Sequence, residues 1–148
     1  MNWTYYAKTN KCFRIYGGTG GTAYGNSLNW GEAEETCNRY HGGHLASFHS
    51  EDELLFAVAL AQEYAAHDDG GDAPVWIGLC YSLTFDWMYT DISSATYFRW
   101  WYGYDRDGTN FPSGYLCTKR KRTGYMGSAD GSEIWPFICQ TPPASNSG

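Results

Sequence analysis

Four histidines and five cysteines are the residues of this chain best suited to reactive or metal chemistry. Zinc sites place Cys and His in closely spaced pairs. A Cys-His nucleophile needs an unbonded thiol in electropositive surroundings. Cys12, Cys37, Cys80, Cys117 and Cys139 instead lie far apart, with no Cys-x-x-Cys pair. That spacing suits long-range disulfides in an oxidising compartment, with one thiol left over. His41, His44, His49 and His67 form no ligand pattern of their own. The oxygen-rich "DRDGTN" (Asp105, Asp107, Asn110) lacks the twelfth-position Glu and the flanking helices of an EF-hand. No catalytic residue, metal centre or cofactor is therefore expected.

Binding chemistry is better represented. In "TYFRWWYGYDRDGTN", Tyr97, Phe98, Trp100, Trp101, Tyr102 and Tyr104 fall within eight positions, and no strand or helix buries them all on one side. Exposed Trp and Tyr are frequent where proteins bind, because they bury much area at little entropic cost. The run "TKRKR" is the one basic segment in a chain of net charge −6. As alternating strand residues, Lys119 and Lys121 would face one way and Arg120 and Arg122 the other. One pair beside the aromatic loop would attract an anionic glycan or an acidic protein surface.

The elements that must position these groups belong to one domain. With 148 residues, 18 glycines, 13 tyrosines and only 18% charged residues, the chain suits short elements joined by long structured loops. Its acidity argues against nucleic acid as a partner. No apolar run of membrane-spanning length is present, so no membrane insertion is expected. "WTYYAKTNKCFRIY" reads as one or two strands. "GGTGGTAYGN" reads as a loop, because the Lys-Ser/Thr that a phosphate-cradling loop needs is missing. Asn29, answered by Glu32, caps a first helix that turns Cys37 inward; Ser50, answered by Glu53, caps a second with an apolar stripe of Leu54, Leu55, Val58 and Ala61. The second helix stops in the acidic "HDDGGDAP". "VWIGLCY", "FDWMY" and "IWPFICQ" read as strands, and "YLCTKRKRTGYMG" as a hairpin arm. The stretch 91–115 is too long for a mere connector. Residues 1–140 are taken as the domain and 141–148 as a Pro/Ser-rich tail or linker. Asn2-Trp3-Thr4 is a glycosylation sequon.

The order of a helix with an inward cysteine, "GGHLASFHSEDE", "WIGL", a long loop, Cys117 and "WPFIC" resembles a C-type lectin-like domain over nearly the whole chain, from Trp3 to Gln140. The resemblance implies an α+β fold of two helices and two small antiparallel sheets with a long loop region. It implies a Cys37–Cys139 disulfide, with Trp76, Ile77 and Leu79 on the floor of the core and His44 as an ordinary framework residue. It also implies an extracellular binding module rather than an enzyme. The family's usual calcium–sugar site uses a Glu-Pro-Asn or Gln-Pro-Asp triplet just after a Tyr-x-x-Trp-x-x-Gly frame, and a later Trp-Asn-Asp. Here Tyr97, Trp100 and Gly103 fit the frame, but Tyr104, Asp105 and Arg106 follow; Met126, Gly127 and Ser128 stand at the second triplet. Most of the oxygen ligands that calcium needs are missing from both places. Glu51, Asp52 and Asp91 read as caps and turns, with a structural calcium site as the alternative. The cysteine usually placed eight residues before Cys139 is Gly131, so a Cys80–Cys117 bridge is one way to pair the orphaned Cys117. The partner of Cys12 stays open.

The reading that follows is a secreted, non-catalytic recognition module without the usual calcium site. It would bind a protein ligand through Trp101, Tyr102, Tyr104, Asp105 and Arg106, with Lys119, Arg120, Lys121 and Arg122 as an anion contact. Calcium-independent carbohydrate binding, with an anionic glycan among the targets, is one alternative; a structural surface protein is another.

Overall fold

The computed structural model describes residues 3–18, 25–64, 71–101 and 108–143. Asn2, the interior of the glycine-rich insert, the stop of the second helix with His67, the loop residues Tyr102, Tyr104, Asp105 and Arg106, and the end of the tail lie outside the described residues.

Strand β1 (Thr4–Tyr6) pairs antiparallel with β2 (Lys11–Tyr16). Helix α1 (Trp30–Cys37) begins where the Glu32 N–H donates to Asn29 Oδ1 at 2.9 Å, and it buries Ala33 and Cys37. A two-residue strand β3 (His44–Leu45) follows, then α2 (Glu51–Tyr64). The Glu53 N–H donates to Ser50 Oγ at 3.2 Å, so the expected cap forms. The Glu53 carboxylate folds back to the N–H of His49, one residue before the cap. Leu54, Ala57, Val58 and Ala61 line the buried face of α2, whereas Leu55 is 41% exposed. A step of one residue turns about 100° around a helix, which takes Leu55 off the stripe expected to include it.

The second half is β-rich: β4 (Pro74–Ser82), β5 (Asp86–Tyr89), β6 (Ser113–Cys117), β7 (Met126–Ala129) and β8 (Phe137–Thr141). The two expected antiparallel groups are present, but they join. Strand β8 lies antiparallel to β2 and touches β4 in parallel at Trp76 and Phe137, so one mixed sheet runs β1-β2-β8-β4-β6-β7. Strand β4 is buried on both faces, which explains its unbroken apolar run. Val75, Ile77 and Leu79 face one core with α2, while Trp76 faces a second core with α1.

Cys37 and Cys139 form a disulfide that closes a loop of sequence separation 102, tying α1 to β8. Cys80 and Cys117 do not join. Cys117 faces Pro74 and Cys80 faces Ser113 across the β4–β6 ladder. That separation is at least about 13 Å at ~3.3 Å per strand residue, when a bridge needs Cα atoms within about 7 Å. Gly131 stands at the position of the missing partner. Its φ is +97°, and a Cβ there would lie 2.7 Å from Ser113 Oγ.

A buried polar network fastens the first strands to α2 and β8. Lys11 Nζ pairs with the fully buried Glu53 at 3.2 Å and donates to the Ser47 carbonyl at 2.9 Å. Asp91 accepts from Ser47, Ser93 and Gln140. Partial burial alone would raise the Asp91 pKa, but these hydrogen bonds outweigh it and hold the carboxyl below its ordinary value. Two outcomes follow. Glu53→Ala, which strands Lys11, is expected to cost about 3 kcal/mol in denaturant unfolding. A depressed folded-state pKa gives stability that is present above the ordinary Asp value and lost as pH falls through the folded one. Acid unfolding of Asp91→Asn should therefore show a shallower loss below about pH 4 than the wild type.

Candidate functional site

At Trp100 and Trp101 the aromatic loop divides by strand alternation. The Met126 N–H donates to the Arg99 carbonyl at 2.6 Å, and the Trp101 N–H to the Met126 carbonyl at 3.3 Å. The segment around Trp100 thus lies along β7 as a short parallel partner. Side chains of consecutive residues then leave on opposite sides. Tyr97, Phe98 and Trp100 pack against the α2 core. Phe98 stacks on Trp100 at 5.6 Å, Trp100 meets Trp87 at 5.3 Å, and Trp87 meets Tyr81 at 5.3 Å. Trp101 points the other way, edge-to-face with Tyr125 at 4.9 Å between centroids. Among the described residues the rings therefore divide, with Tyr97, Phe98 and Trp100 on the core and Trp101 on the other side.

Trp101 meets the basic segment there. The expected hairpin arm forms, but "RKR" is not a strand. Arg120–Arg122 is one 3₁₀ turn at its tip, so the predicted alternation of Lys119 and Lys121 against Arg120 and Arg122 does not hold. The physical reason is the backbone of Arg120, whose φ of +64° breaks the extended run. The N–H groups of Thr118 and Lys119 both donate to the Asp72 carbonyl, at 2.9 and 3.0 Å. Arg122 Nη1 donates to Asp72 Oδ2 at 3.0 Å, and Arg120 Nη1 donates to the Gly71 carbonyl. The Arg122 guanidinium lies 6.0 Å from the centre of the Trp101 ring. Asp72, Trp101, Arg120, Lys121 and Arg122 together line an open cleft of about 740 Å³. One basic group thus does sit beside the loop, through Arg120, Lys121 and Arg122; Lys119 is not part of the lining.

Sequence reasoning missed Asp72 and Tyr125. Asp72 lies 50 positions before its Arg122 partner, and no local pattern links them. Tyr125 had a signal in the hairpin arm: it precedes Met126, whose position fixes the side on which Tyr125 emerges. Tyr125 also stands under Arg99, 4.6 Å from the guanidinium.

The second triplet position is occupied by packing. Met126 is fully buried, and a Cβ on Gly127 would overlap the Tyr115 ring. The carboxylates considered for a structural calcium are used separately. Glu51 pairs with Arg99 at 3.0 Å, Asp52 with Lys8 at 2.8 Å, and Asp91 serves the buried network. Among the described residues no three His, Cys, Asp or Glu side chains gather as a metal site would require. His44 is held by Glu34 at 2.9 Å, and His49 lies edge-on to Tyr89 at 5.5 Å. His41 is exposed beside Cys12, whose thiol is pushed up by burial. Burial, then Glu34, raises the Cys80 thiol to about 11, which leaves little nucleophilic thiolate.

Residues 26–141 match the family described as Lectin C-type domain. The chain belongs to that family. It is 30% identical over 140 residues to Rheacalcin-1 of Rhea americana, covering 90% of this chain and 97% of that one. It is 41% identical over 73 residues to C-type lectin APL of Agkistrodon piscivorus piscivorus, a match spanning 48% of this chain and 51% of the relative. Among solved structures, CEL-IV superposes with a TM-score of 0.76 at 28% identity, covering 98% of this chain and 94% of that one. Human lithostathine superposes at the same TM-score and 19% identity, over 95% of this chain and 88% of that one. C-type lectin domains are generally non-enzymatic and bind glycans or proteins. No helix among the described residues is long and apolar enough to cross a membrane.

The two loop layers make a testable contrast. Trp100→Ala is expected to lower unfolding stability by about 3 kcal/mol, as for aromatic truncation in a core. Trp101→Ala should cost about 1 kcal/mol, the worth of one aromatic pair. Equal losses in thermal or denaturant unfolding would contradict the division.

Proposed function

We propose that this domain is a secreted, non-catalytic recognition module that binds a protein ligand through the long-loop face without the family's usual calcium–sugar site. The observation that carries the reading is the outward placement of Trp101 on Tyr125 above an open cleft, while Phe98 and Trp100 serve the core. A Trp presented by a segment fixed to a sheet edge loses little entropy on binding. Burial of Met126, and the cover of the Tyr115 ring over Gly127, support the absence of calcium ligands at the second triplet. The sequence at Tyr104, Asp105 and Arg106 supports the same at the first. The Cys37–Cys139 bond supports an extracellular setting, where disulfides persist.

A second reading, calcium-independent glycan binding, draws on the same ring. Trp faces stack on sugars without a metal, and Arg122 beside Trp101 would hold an anionic substituent.

The test is a pair of arrays, one of extracellular protein domains and one of glycans, each probed with calcium and with EDTA. Wild type is expected to bind a protein target with or without calcium, and Trp101→Ala to lose at least about tenfold in affinity with its thermal unfolding little changed. Signal confined to EDTA-resistant glycans would favour the second reading. Binding that EDTA abolishes would overturn both. Silence on both arrays would leave a structural surface protein as the better account.

A further inference from the structure

The Trp101 ring belongs to a chain of contacts that starts on α2. Arg99 Nη1 donates to Glu51 Oε1 at 3.0 Å. The Arg99 guanidinium lies 4.6 Å from the centre of the Tyr125 ring, and Tyr125 meets Trp101 edge-to-face at 4.9 Å. Beyond Trp101 come Arg122, 6.0 Å from the ring centre, and the Asp72 carboxylate, 3.0 Å from Arg122. The Tyr125 and Trp101 rings are thus bracketed by two guanidinium groups, each paired with a carboxylate. Arg99 is engaged twice, because its carbonyl also accepts from the N–H of Met126, where β7 begins. Its backbone joins the loop to the sheet edge, and its side chain joins α2 to the hairpin arm.

Fold stability does not account for this arrangement. The Arg99 side chain is 25% exposed and that of Glu51 61%, and ion pairs so placed add little. What the chain of contacts fixes is orientation. Backbone pairing with β7 sets the side of the sheet on which Trp101 leaves, but not how its ring is turned there. A Tyr side chain ahead of a strand turns among staggered rotamers unless something lies on it. A planar guanidinium over its face restricts that freedom, and with it the surface on which Trp101 rests.

We propose that Arg99 is a positioning residue of the recognition surface: stacked on Tyr125 and anchored by Glu51, it holds the Trp101 ring in the orientation in which a protein ligand meets it. The proposal rests on the reading that the long-loop face recognises a protein. A ligand then finds Trp101 already ordered, and less freedom is lost on binding. Lysine would not serve in place of Arg99, because a compact ammonium has no planar fork to lie along a ring.

The test reads Trp101 directly by NMR. Its indole N–H is the cross-peak that disappears in Trp101→Phe. In wild type that group is expected to be as ordered as rigid backbone, with an order parameter of about 0.85, and in Arg99→Met to fall below about 0.6. Methionine leaves the main-chain bond to Met126 in place, so the thermal midpoint should move little. Tyr125→Leu, which removes the intermediate ring, should lower the order of Trp101 in the same way. Arg99→Lys keeps the charge but not the planar stack and should not restore the order. For a protein that the array retains on wild type, Arg99→Met should weaken binding about three- to tenfold, less than Trp101→Ala does. An unchanged order parameter in Arg99→Met and Tyr125→Leu, or full restoration by Arg99→Lys, overturns the proposal. So does a loss of order accompanied by a thermal destabilisation as large as that of Trp100→Ala, because Arg99 would then be a structural residue. If array binding depends on Trp101 but not on Arg99, the loop-face reading stands and the positioning role alone falls. If the ring order responds but no array protein depends on Trp101, the loop-face reading falls and the positioning role falls with it.

Discussion

The seam where β4 meets β8 is the contact on which the remaining architecture depends. Trp76 makes it. Its N–H donates to the Pro136 carbonyl at 2.9 Å, its indole N–H to the Leu28 carbonyl at 3.1 Å, and its ring packs on Trp135 at 4.3 Å. Every polar group of a fully buried indole must be matched, and here one residue matches backbone on two separate segments. The seam joins the part of the sheet that carries the chain ends to the part that carries the long loop. The disulfide then secures the same strand within the same core, through Cys139 and α1. With β8 held by β2, β3, β4 and a covalent bond, the loop-rich half has a fixed base.

The placement of the candidate site follows from that base. Strand β4 supports β6, β6 supports β7, and β7 takes the inner segment of the long loop as a partner. The outward position of Trp101 is thus determined by a ladder that begins in the core. The basic turn hangs from the same two strands and is tied back to Asp72. Two segments far apart in sequence meet in the cleft because each is attached to a neighbouring strand, and their mutual contact through Arg122 and Trp101 is a minor part of what holds them.

Local signals were legible in the sequence because their physics is local. Asn29 and Ser50 cap their helices within three residues, and the apolar run of β4 declares burial on both faces. The disulfide was legible only through the family resemblance. The same resemblance leaves Cys117 without its usual partner and so suggested Cys80 as one option, but it carries no information about the register of Cys80, and the β4–β6 ladder places the two at opposite ends. The basic run misled in a similar way. Alternation assumes an extended backbone, and only the positive φ of Arg120, invisible in its side-chain type, turns the run into a 3₁₀ turn. The family frame assigned Tyr97 and Trp100 to the framework and Trp101 to the outward part of the loop, but the pairing that divides Trp100 from Trp101 was not legible, because its partner strand lies 26 residues from Trp100, at Met126.

The bridge between Trp100 and Met126 has a consequence for how copies of this domain behave toward one another. A sheet ends in two strands whose outer backbone groups are unpaired, and such rims template association between molecules. One rim here is β1, only three residues long and too short to recruit much. At the far end of the same path is β7, and the inner part of the long loop covers its first residue with backbone hydrogen bonds. The segment that carries Trp101 thus also caps the start of that rim. A substitution that breaks the backbone pairing at Arg99 or Trp101 would therefore expose an edge as well as disturb the loop.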